Sequence, residues 1–458
     1  MSGIWHYQVH LPLSYRVQES EHIFQLIRAG DSCSIIGVSG MAKSNLFRHL
    51  LNSEVRQHYL GGGWQSHLFL TIDSHALGEL SERAMYDLLL NYLAKEAQQR
   101  GVAQEVLGQI QALHQETRSI AEGLAWQRVF SQAIQAIMTV EPVQHLVFLF
   151  DQFDEAYKTL APRFFANLRS IRDTYKYRVS YVTFTRDELP HLCHAPECEE
   201  FYELLQPHIL GLGPYNREDS WGELTRIASR YGVSPEHRLG DHLIRLTGGH
   251  PGLLKAAYMS TLHSDTNLPP SDEGASVVLL NNSDVTTECV KLWESLGEDE
   301  REVMRAVVRR IKPLPGADVL RRLRLKGLLT SADNLFSPLF ADYIARLLAS
   351  EPTLTKVQAG PLRIDMADEV WVGERKVEPR LTASELRLLA YFFGKVGQIC
   401  TKDEINAVIH PEDYARGELM SEAAIEKQVD RLREHIEHDP RHPKFIVTMR
   451  GRGYMLKV

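Results

Sequence analysis

A parallel α/β sheet covered by helices on both faces, followed by helical segments and then a smaller α+β domain, is the fold class this sequence predicts. Three observations carry it. Five short apolar runs rich in β-branched and aromatic residues stand at 33–36, 67–72, 146–150, 178–184 and 208–212. Helical patterns lie between them, notably at 81–96, 123–138 and 161–175. After residue 350 the pattern changes to short strands, three helices and a basic hairpin. Short apolar runs without alternation are typical of strands buried on both faces, and their alternation with helices implies parallel crossovers.

The 458 residues exceed one module, since one domain per ~100 to 200 residues gives about two to four. Apolar residues at 44% and charged residues at 24% are globular proportions, and no apolar run approaches the ~18 residues of a membrane span, so disorder and membrane insertion are not expected. Cys33, Cys193, Cys198, Cys289 and Cys400 are an odd number spread through the chain, and no signal-peptide pattern follows Met1. A reducing, cytoplasmic setting is the expectation. A formal net charge of -8 argues against coating of nucleic acid by the whole surface but leaves room for one basic patch.

Taken in order, residues 1–213 hold the strand–helix alternation and 214–265 are helical only, interrupted by Gly248-Gly249-His250-Pro251, as a lid would be. Residues 266–286, with Pro269-Pro270, Asn281-Asn282 and several Ser and Asp, have the composition of a linker. Within 287–350, helices over 290–311 and 320–327 and a short hairpin at 328–338 outline a helix-turn-helix with a wing. Residues 357–458 form the last domain: strands near 362–364 and 369–372, helices over 383–394, from 402, and over 421–437, and a hairpin over 445–458.

The first chemistry lies at Gly37-Val38-Ser39-Gly40-Met41-Ala42-Lys43-Ser44, which leaves a strand and enters the amphipathic helix at 45–51. Backbone N–H groups of such a turn converge on a phosphate, the helix N-terminus adds its positive end, Lys43 reaches the β/γ oxygens, and the Ser44 hydroxyl ligates magnesium. Ala42 stands where the pattern has its second glycine, so its methyl group either crowds the phosphate or strains the turn. The apolar strand 146–150 runs into Asp151, and an acid at a strand's C-terminal edge beside such a loop is where magnesium is held.

These features, with 181–186 ending the next strand in Arg186 and Leu246-Thr247-Gly248-Gly249-His250-Pro251 in the lid, resemble a STAND/AAA+-type nucleotide-binding module over about residues 10–350. The resemblance implies an α/β P-loop NTPase with a helical lid and a small winged helix, binding ATP or ADP with Mg2+. It places Gly37, Ser39, Gly40, Ala42, Lys43, Ser44 and Asn45 at the nucleotide, with Ser44 and Asp151 at the metal. Arg186 maps to a γ-phosphate sensor, and Gly249, His250 and Pro251 map to the lid turn that approaches the nucleotide. Tyr15-Arg16 resembles the segment that leads to the adenine side. Related ATPases commonly follow the magnesium aspartate with a water-polarising Glu, whereas this chain has Gln152, and an amide cannot take a proton. Asp154 and Glu155 are the nearby acids left as candidate bases, so slow hydrolysis and a long-lived ATP state are expected.

The blocks 379–389, 397–405, 424–436 and 445–454 are similar, in order, to the OmpR/PhoB-type winged helix-turn-helix domain of bacterial transcription regulators. That resemblance implies a four-stranded N-terminal sheet, a recognition helix and a C-terminal wing. Independently, Ile425, Val429, Leu432 and Ile436 make a buried helical stripe, while Lys427 and Arg431 lie opposite with Arg433 at the flank and Asp430 and Glu434 among them. Residues 441–458 carry five Lys or Arg and no Asp or Glu, so Arg450 and Arg452, beside Gly451 and Gly453, suit a minor groove or its phosphates.

His191, Cys193, His194 and Cys198 put four zinc-ligand types within eight residues, but no second pair at zinc-site spacing follows, and free side chains are expected. The reading is a bacterial ATP-binding transcription regulator with double-stranded DNA as partner, a second copy of the chain as a candidate partner, and no membrane. Two alternatives stay open at this level: a DNA-associated STAND ATPase effector of a defence or mobile-element system, and a pseudo-ATPase scaffold.

Overall fold

The computed structural model describes residues 11–73, 80–117, 123–140, 143–193, 195–263, 268–310, 317–350, 357–364, 369–409 and 420–457. It divides into two compact units, Met1–Arg346 and Leu347–Val458.

The first unit opens with α1 (Val17–Ala29), β1 (Cys33–Ile36), α2 (Lys43–Leu51) and α3 (Ser53–Leu60). There follow β2 (His67–Asp73), α4 (Glu82–Gln99), α5 (Gln104–Thr117), α6 (Gly123–Met138), β3 (His145–Asp151), α7 (Phe153–Thr159), α8 (Pro162–Tyr175), β4 (Val179–Thr185), α9 (Pro196–Tyr202) and β5 (Ile209–Gly211). The five strands are parallel in the order β2-β3-β4-β1-β5. β4 therefore separates the strand that enters the phosphate loop from the strand that ends in Asp151. All seven residues of β4 and six of seven in β3 are buried, which accounts for their unbroken apolar sequence. Phe148, Phe150, Phe153, Phe164, Phe165, Tyr181 and Phe201 pack into one aromatic core beside them. That core is a rigid floor from which the strand ends present Asp73, Asp151 and Arg186.

The lid consists of α10 (Arg217–Arg230), α11 (His237–Thr247) and α12 (Pro251–His263). Beyond it the structure departs from the expected linker at 266–286, because α13 (Asp272–Leu279) and α14 (Ser283–Glu294) occupy most of it. The cause is local. The Ser271 hydroxyl accepts from Gly274 N–H, and the Asn282 side chain accepts from Asp284 and Val285 N–H, so residues that read as turn formers are helix N-caps. The single helix expected over 290–311 is broken at Gly297, which starts α15 (Glu298–Val308) with its N–H bonded to Glu300. Then come α16 (Ala317–Leu325), a tight hairpin pairing Leu329 with Leu335, and α17 (Pro338–Ser350).

In the second unit, β6 (Val357–Ala359), β7 (Leu362–Ile364), β8 (Val370–Val372) and β9 (Arg375–Lys376) form an antiparallel sheet in sequence order. α18 (Ala383–Gly394) starts on a capping box between Thr382 and Glu385, followed by α19 (Lys402–Ile409), α20 (Glu422–Ile436) and the hairpin β10 (Ile446–Met449)/β11 (Gly453–Leu456). Leu388, Phe392, Ile405, Val429, Leu432, Ile446 and Leu456 share its core. Cys400 and Tyr454 exchange backbone hydrogen bonds of 2.7 and 2.9 Å, tying the hairpin to the start of α19. Gly453 sits at φ 127°, and a Cβ there would overlap the Cys400 carbonyl, so this close approach requires glycine.

Candidate nucleotide site and nucleic-acid interface

The phosphate loop runs from Gly37, whose N–H donates to Thr185 O at 3.1 Å, to Lys43 at the first position of α2. Ala42 has φ 59° and ψ 33°, the left-handed conformation that the missing glycine would adopt freely. For alanine this strain costs about 1 to 2 kcal/mol. Its carbonyl accepts from Asn45 and Leu46 N–H, both at 3.1 Å, which helps hold the conformation. Of the two effects the sequence left open at Ala42, backbone strain is the one observed, and the turn keeps its shape.

Lys43 Nζ donates to the carbonyls of Gly37 and, at 3.0 Å, Val38, and burial pushes its ammonium down to about 8. Asp154, Arg186, Asp151 and Lys326 are its charged neighbours. The Ser44 hydroxyl hydrogen-bonds the buried Asp151 carboxylate, whose pKa is raised chiefly by burial and also by Asp73. Asp73 is a residue that sequence reasoning passed over. It is in register with Asp151 across β2 and β3, and the available signal was that both strands end in an acid. These residues fit a nucleoside polyphosphate with a divalent cation: a lysine on a strained turn, and a hydroxyl hydrogen-bonded to a buried carboxylate at the helix start.

The two candidate bases diverge. Asp154 Oδ1 accepts from Arg186 N–H at 2.8 Å and is buried beside the loop, so it is brought to the site but already holds the end of β4. Glu155 is half exposed, 3.8 Å from Lys158, and is turned to the surface pairing. Gln152 itself is left-handed, φ 51°, and caps α7. The Arg186 side chain is exposed one residue past β4.

The lid grips the same loop. His250 Nδ1 accepts from Leu253 N–H at 3.2 Å, which leaves the proton on Nε2, 3.1 Å from Ser39 O. Burial pushes this imidazole down to about 4, so it is neutral near pH 7. Gly252 N–H donates to Gly40 O at 3.0 Å, and Pro251 starts α12 beside it. On the other flank, Arg16 donates from its backbone to Asp219 at 3.0 Å and from its guanidinium to Met41 O and Gly213 O at 3.2 and 3.0 Å. Its guanidinium lies 4.7 Å from the Tyr215 ring centroid, and Tyr15 and Tyr215 share a hydroxyl hydrogen bond of 3.0 Å. Lys326, after α16, pairs with Glu300 at 2.8 Å and Asp187 at 3.2 Å, while Arg321 reaches Glu188 at 2.7 Å. The small winged helix is thus fastened to the loop that follows β4.

In the second unit α20 buries Ile425, Val429, Leu432 and Ile436 and exposes Lys427 and Arg431 on the other side. Arg450 and Arg452 are exposed on the wing. Arg433 is a correction: it is 8% exposed and donates to Ile446 O at 3.0 and 2.8 Å, to Thr448 Oγ1 at 2.8 Å and to Asp430 at 3.0 Å. Those bonds clamp the wing strand to α20 and leave the guanidinium no freedom to reach DNA. Glu437 adds a second clamp by accepting from Lys444, Phe445 and Ile446 N–H at 2.7 to 2.9 Å. Acids also shape this face, since Lys402 pairs with Glu422 and Glu426 of α20.

Among the described residues no group of three His, Cys, Asp or Glu could hold a metal ion, and no helix is long and apolar enough to cross a membrane. Of the zinc-type cluster, His194 lies outside the described residues, and Cys198 is buried with its thiol pushed up to about 12, first by burial.

The transcriptional regulatory protein C-terminal family matches residues 376–456, so an OmpR/PhoB-type DNA-binding domain closes the chain. Protein PetR of Rhodobacter capsulatus is 30% identical over 155 residues, covering 30% of this chain, which spans only 61% of that protein's length. A Walker-type ATPase of Pyrococcus abyssi is similar in structure at 12% identity and a TM-score of 0.44, over 72% of this chain and 95% of that one. The DNA-binding domain of Klebsiella pneumoniae RstA, solved with its RstA box, is similar at 23% identity and a TM-score of 0.20, over 22% of this chain and 97% of that one. The novel STAND NTPase 1 family matches residues 15–369, most of the chain, and with the phosphate loop, magnesium aspartate and lid already in place, the protein belongs to that family.

Proposed function

We propose that the chain is a nucleotide-switched transcriptional regulator, in which ATP or ADP with Mg2+ at the phosphate loop controls double-stranded DNA binding by the C-terminal domain. The observation that carries this is the direct bonding of the lid to the loop: His250 to Ser39 and Gly252 to Gly40. Whatever the loop holds therefore touches an element that can move, and a ligand with different contacts in two arrangements shifts their populations. Lys43, Ser44, Asp151 and the loop amides would hold the phosphates and cation, Arg16 and Tyr15 would flank the base, and Arg186 would face the terminal phosphate. The bound cation supplies charge neutralisation at the phosphate oxygens.

Hydrolysis is expected to be slow, because Gln152 cannot take a proton, Asp154 is engaged by the Arg186 amide, and Glu155 is paired outward. Gln152→Glu should then raise turnover by about 10²-fold, read as phosphate release under single-turnover conditions. A wild-type rate already as fast as the variant's would remove the premise.

The DNA reading is tested by substitutions that should differ in kind. Arg431→Ala, on the exposed face of α20, should cost about 1 to 3 kcal/mol and relax preference at one or two base pairs. Arg452→Ala, on the wing, should weaken binding to every sequence alike and lower the salt slope by about one. Competition binding over a randomised site separates the two, and an identical profile for both variants would contradict the assigned roles.

A further inference from the structure

One carboxylate lies at the phosphate loop without belonging to it. Glu288, on α14, places Oε2 where a Cβ built on Gly40 would meet it at 3.4 Å and one built on Gly252 at 2.6 Å. That oxygen therefore occupies the crevice in which the loop and the first turn of α12 come together, a crevice closed by the bond from Gly252 N–H to Gly40 O at 3.0 Å. The side chain is 21% exposed, so its charge is only partly screened, and its partner, Lys291 at 2.7 Å, is 53% exposed and sits one turn further along α14. The two glycines at the contact leave room for the carboxylate, and a side chain at either would displace it.

The charge has a consequence for what the loop accepts. Gly40 lies in the turn whose amides face the phosphates, so a carboxylate against it opposes negative charge there. The third phosphate adds charge at the outer end of the group, and like charges within several ångströms of one another at a partly buried site repel appreciably. Lys43 and a cation offset the inner phosphates, but Glu288 is opposed only by a lysine turned largely to solvent.

We propose that Glu288 is a specificity-determining residue that disfavours the third phosphate of a nucleotide while α14 is seated against the lid, so that the closed arrangement prefers a nucleoside diphosphate. This rests on the nucleotide reading of the loop and adds the residue that sets its preference. A triphosphate must then displace Glu288, and moving it moves α14, the first helix of the small winged helix.

The test is equilibrium binding of Mg·ADP and of a non-hydrolysable Mg·ATP analogue to the full chain. Glu288→Gln keeps the shape and removes the charge; it should tighten the triphosphate analogue about tenfold more than ADP. Lys291→Gln leaves the carboxylate without its cation and should move the ratio the other way by about two- to threefold. Two opposite shifts are not what a loss of packing would give, and either variant alone reads the ratio if the other fails to fold. An unchanged ratio in the variants, with the wild type binding both nucleotides, would overturn the role of Glu288 alone. Failure of the unmodified chain to bind either nucleotide would overturn the reading of the loop and this inference with it.

Discussion

Lys43→Ala is expected to reduce affinity for Mg·ADP and Mg·ATP by at least about 10²-fold while leaving the folding of the C-terminal unit unchanged. The lysine is held at the loop by the Gly37 and Val38 carbonyls, and a phosphate would find its ammonium already in place. Removing one side of a partly desolvated, charge-assisted contact costs about 2 to 5 kcal/mol, and each 1.4 kcal/mol is about tenfold in affinity. Lys43→Arg is not a conservative control, because the planar guanidinium cannot occupy the same space between those carbonyls. Calorimetric titration of the full chain reads the affinity, and the thermal transition of the 347–458 unit serves as an internal check. Unchanged nucleotide affinity would show that the loop is an ordinary strand-to-helix turn.

The parts of this site that were legible in the sequence are those made of consecutive residues. The strand, loop and helix from Cys33 to Leu51 are such a run, and the apolar strand ending in Asp151 is another. What joins them is not local. Nothing in the sequence places β4 between β1 and β3, since strand order depends on which crossovers pack, and Asp73 meets Asp151 only through that order. Ala42 could be read as a substitution, but whether it crowds or strains the turn is a matter of backbone angle. Arg433 shows the limit of helical periodicity: its position on α20 is at the flank, and it is buried because Ile446 and Thr448, 13 and 15 residues on, return to meet it. At 266–286 composition misled, because Ser and Asn favour helix caps for the same reason that they favour turns.

Lys326→Met carries the second large expectation, a loss of about 3 to 5 kcal/mol in the stability of the first unit. Lys326 is 1% exposed and Glu300 0%, and Nζ donates to both Glu300 oxygens at 2.8 and 3.1 Å and lies 3.2 Å from Asp187. Without the ammonium, Glu300 keeps its bond to Gly297 N–H but retains a buried charge with no cation, and breaking such a pair costs more than the pair contributes. Lys326→Met combined with Glu300→Gln should recover part of the loss, because the second change removes the uncompensated charge. Denaturant unfolding followed by tryptophan fluorescence compares the variants. A cost under about 1 kcal/mol for the single change would mean that water reaches Glu300, and that the buried pair does not fasten the small winged helix to the β4 loop.

The central claim is that the nucleotide at the first unit governs DNA binding by the second. It is tested most directly by measuring the affinity of the full chain for a duplex that the chain itself selects from random sequence, across a salt series. One series is run with Mg·ADP and the other with a non-hydrolysable Mg·ATP analogue. A switch of ordinary strength should separate the two curves by about 5- to 150-fold in affinity at a given salt concentration. Curves that superimpose at every salt concentration, with both nucleotides bound, would contradict it.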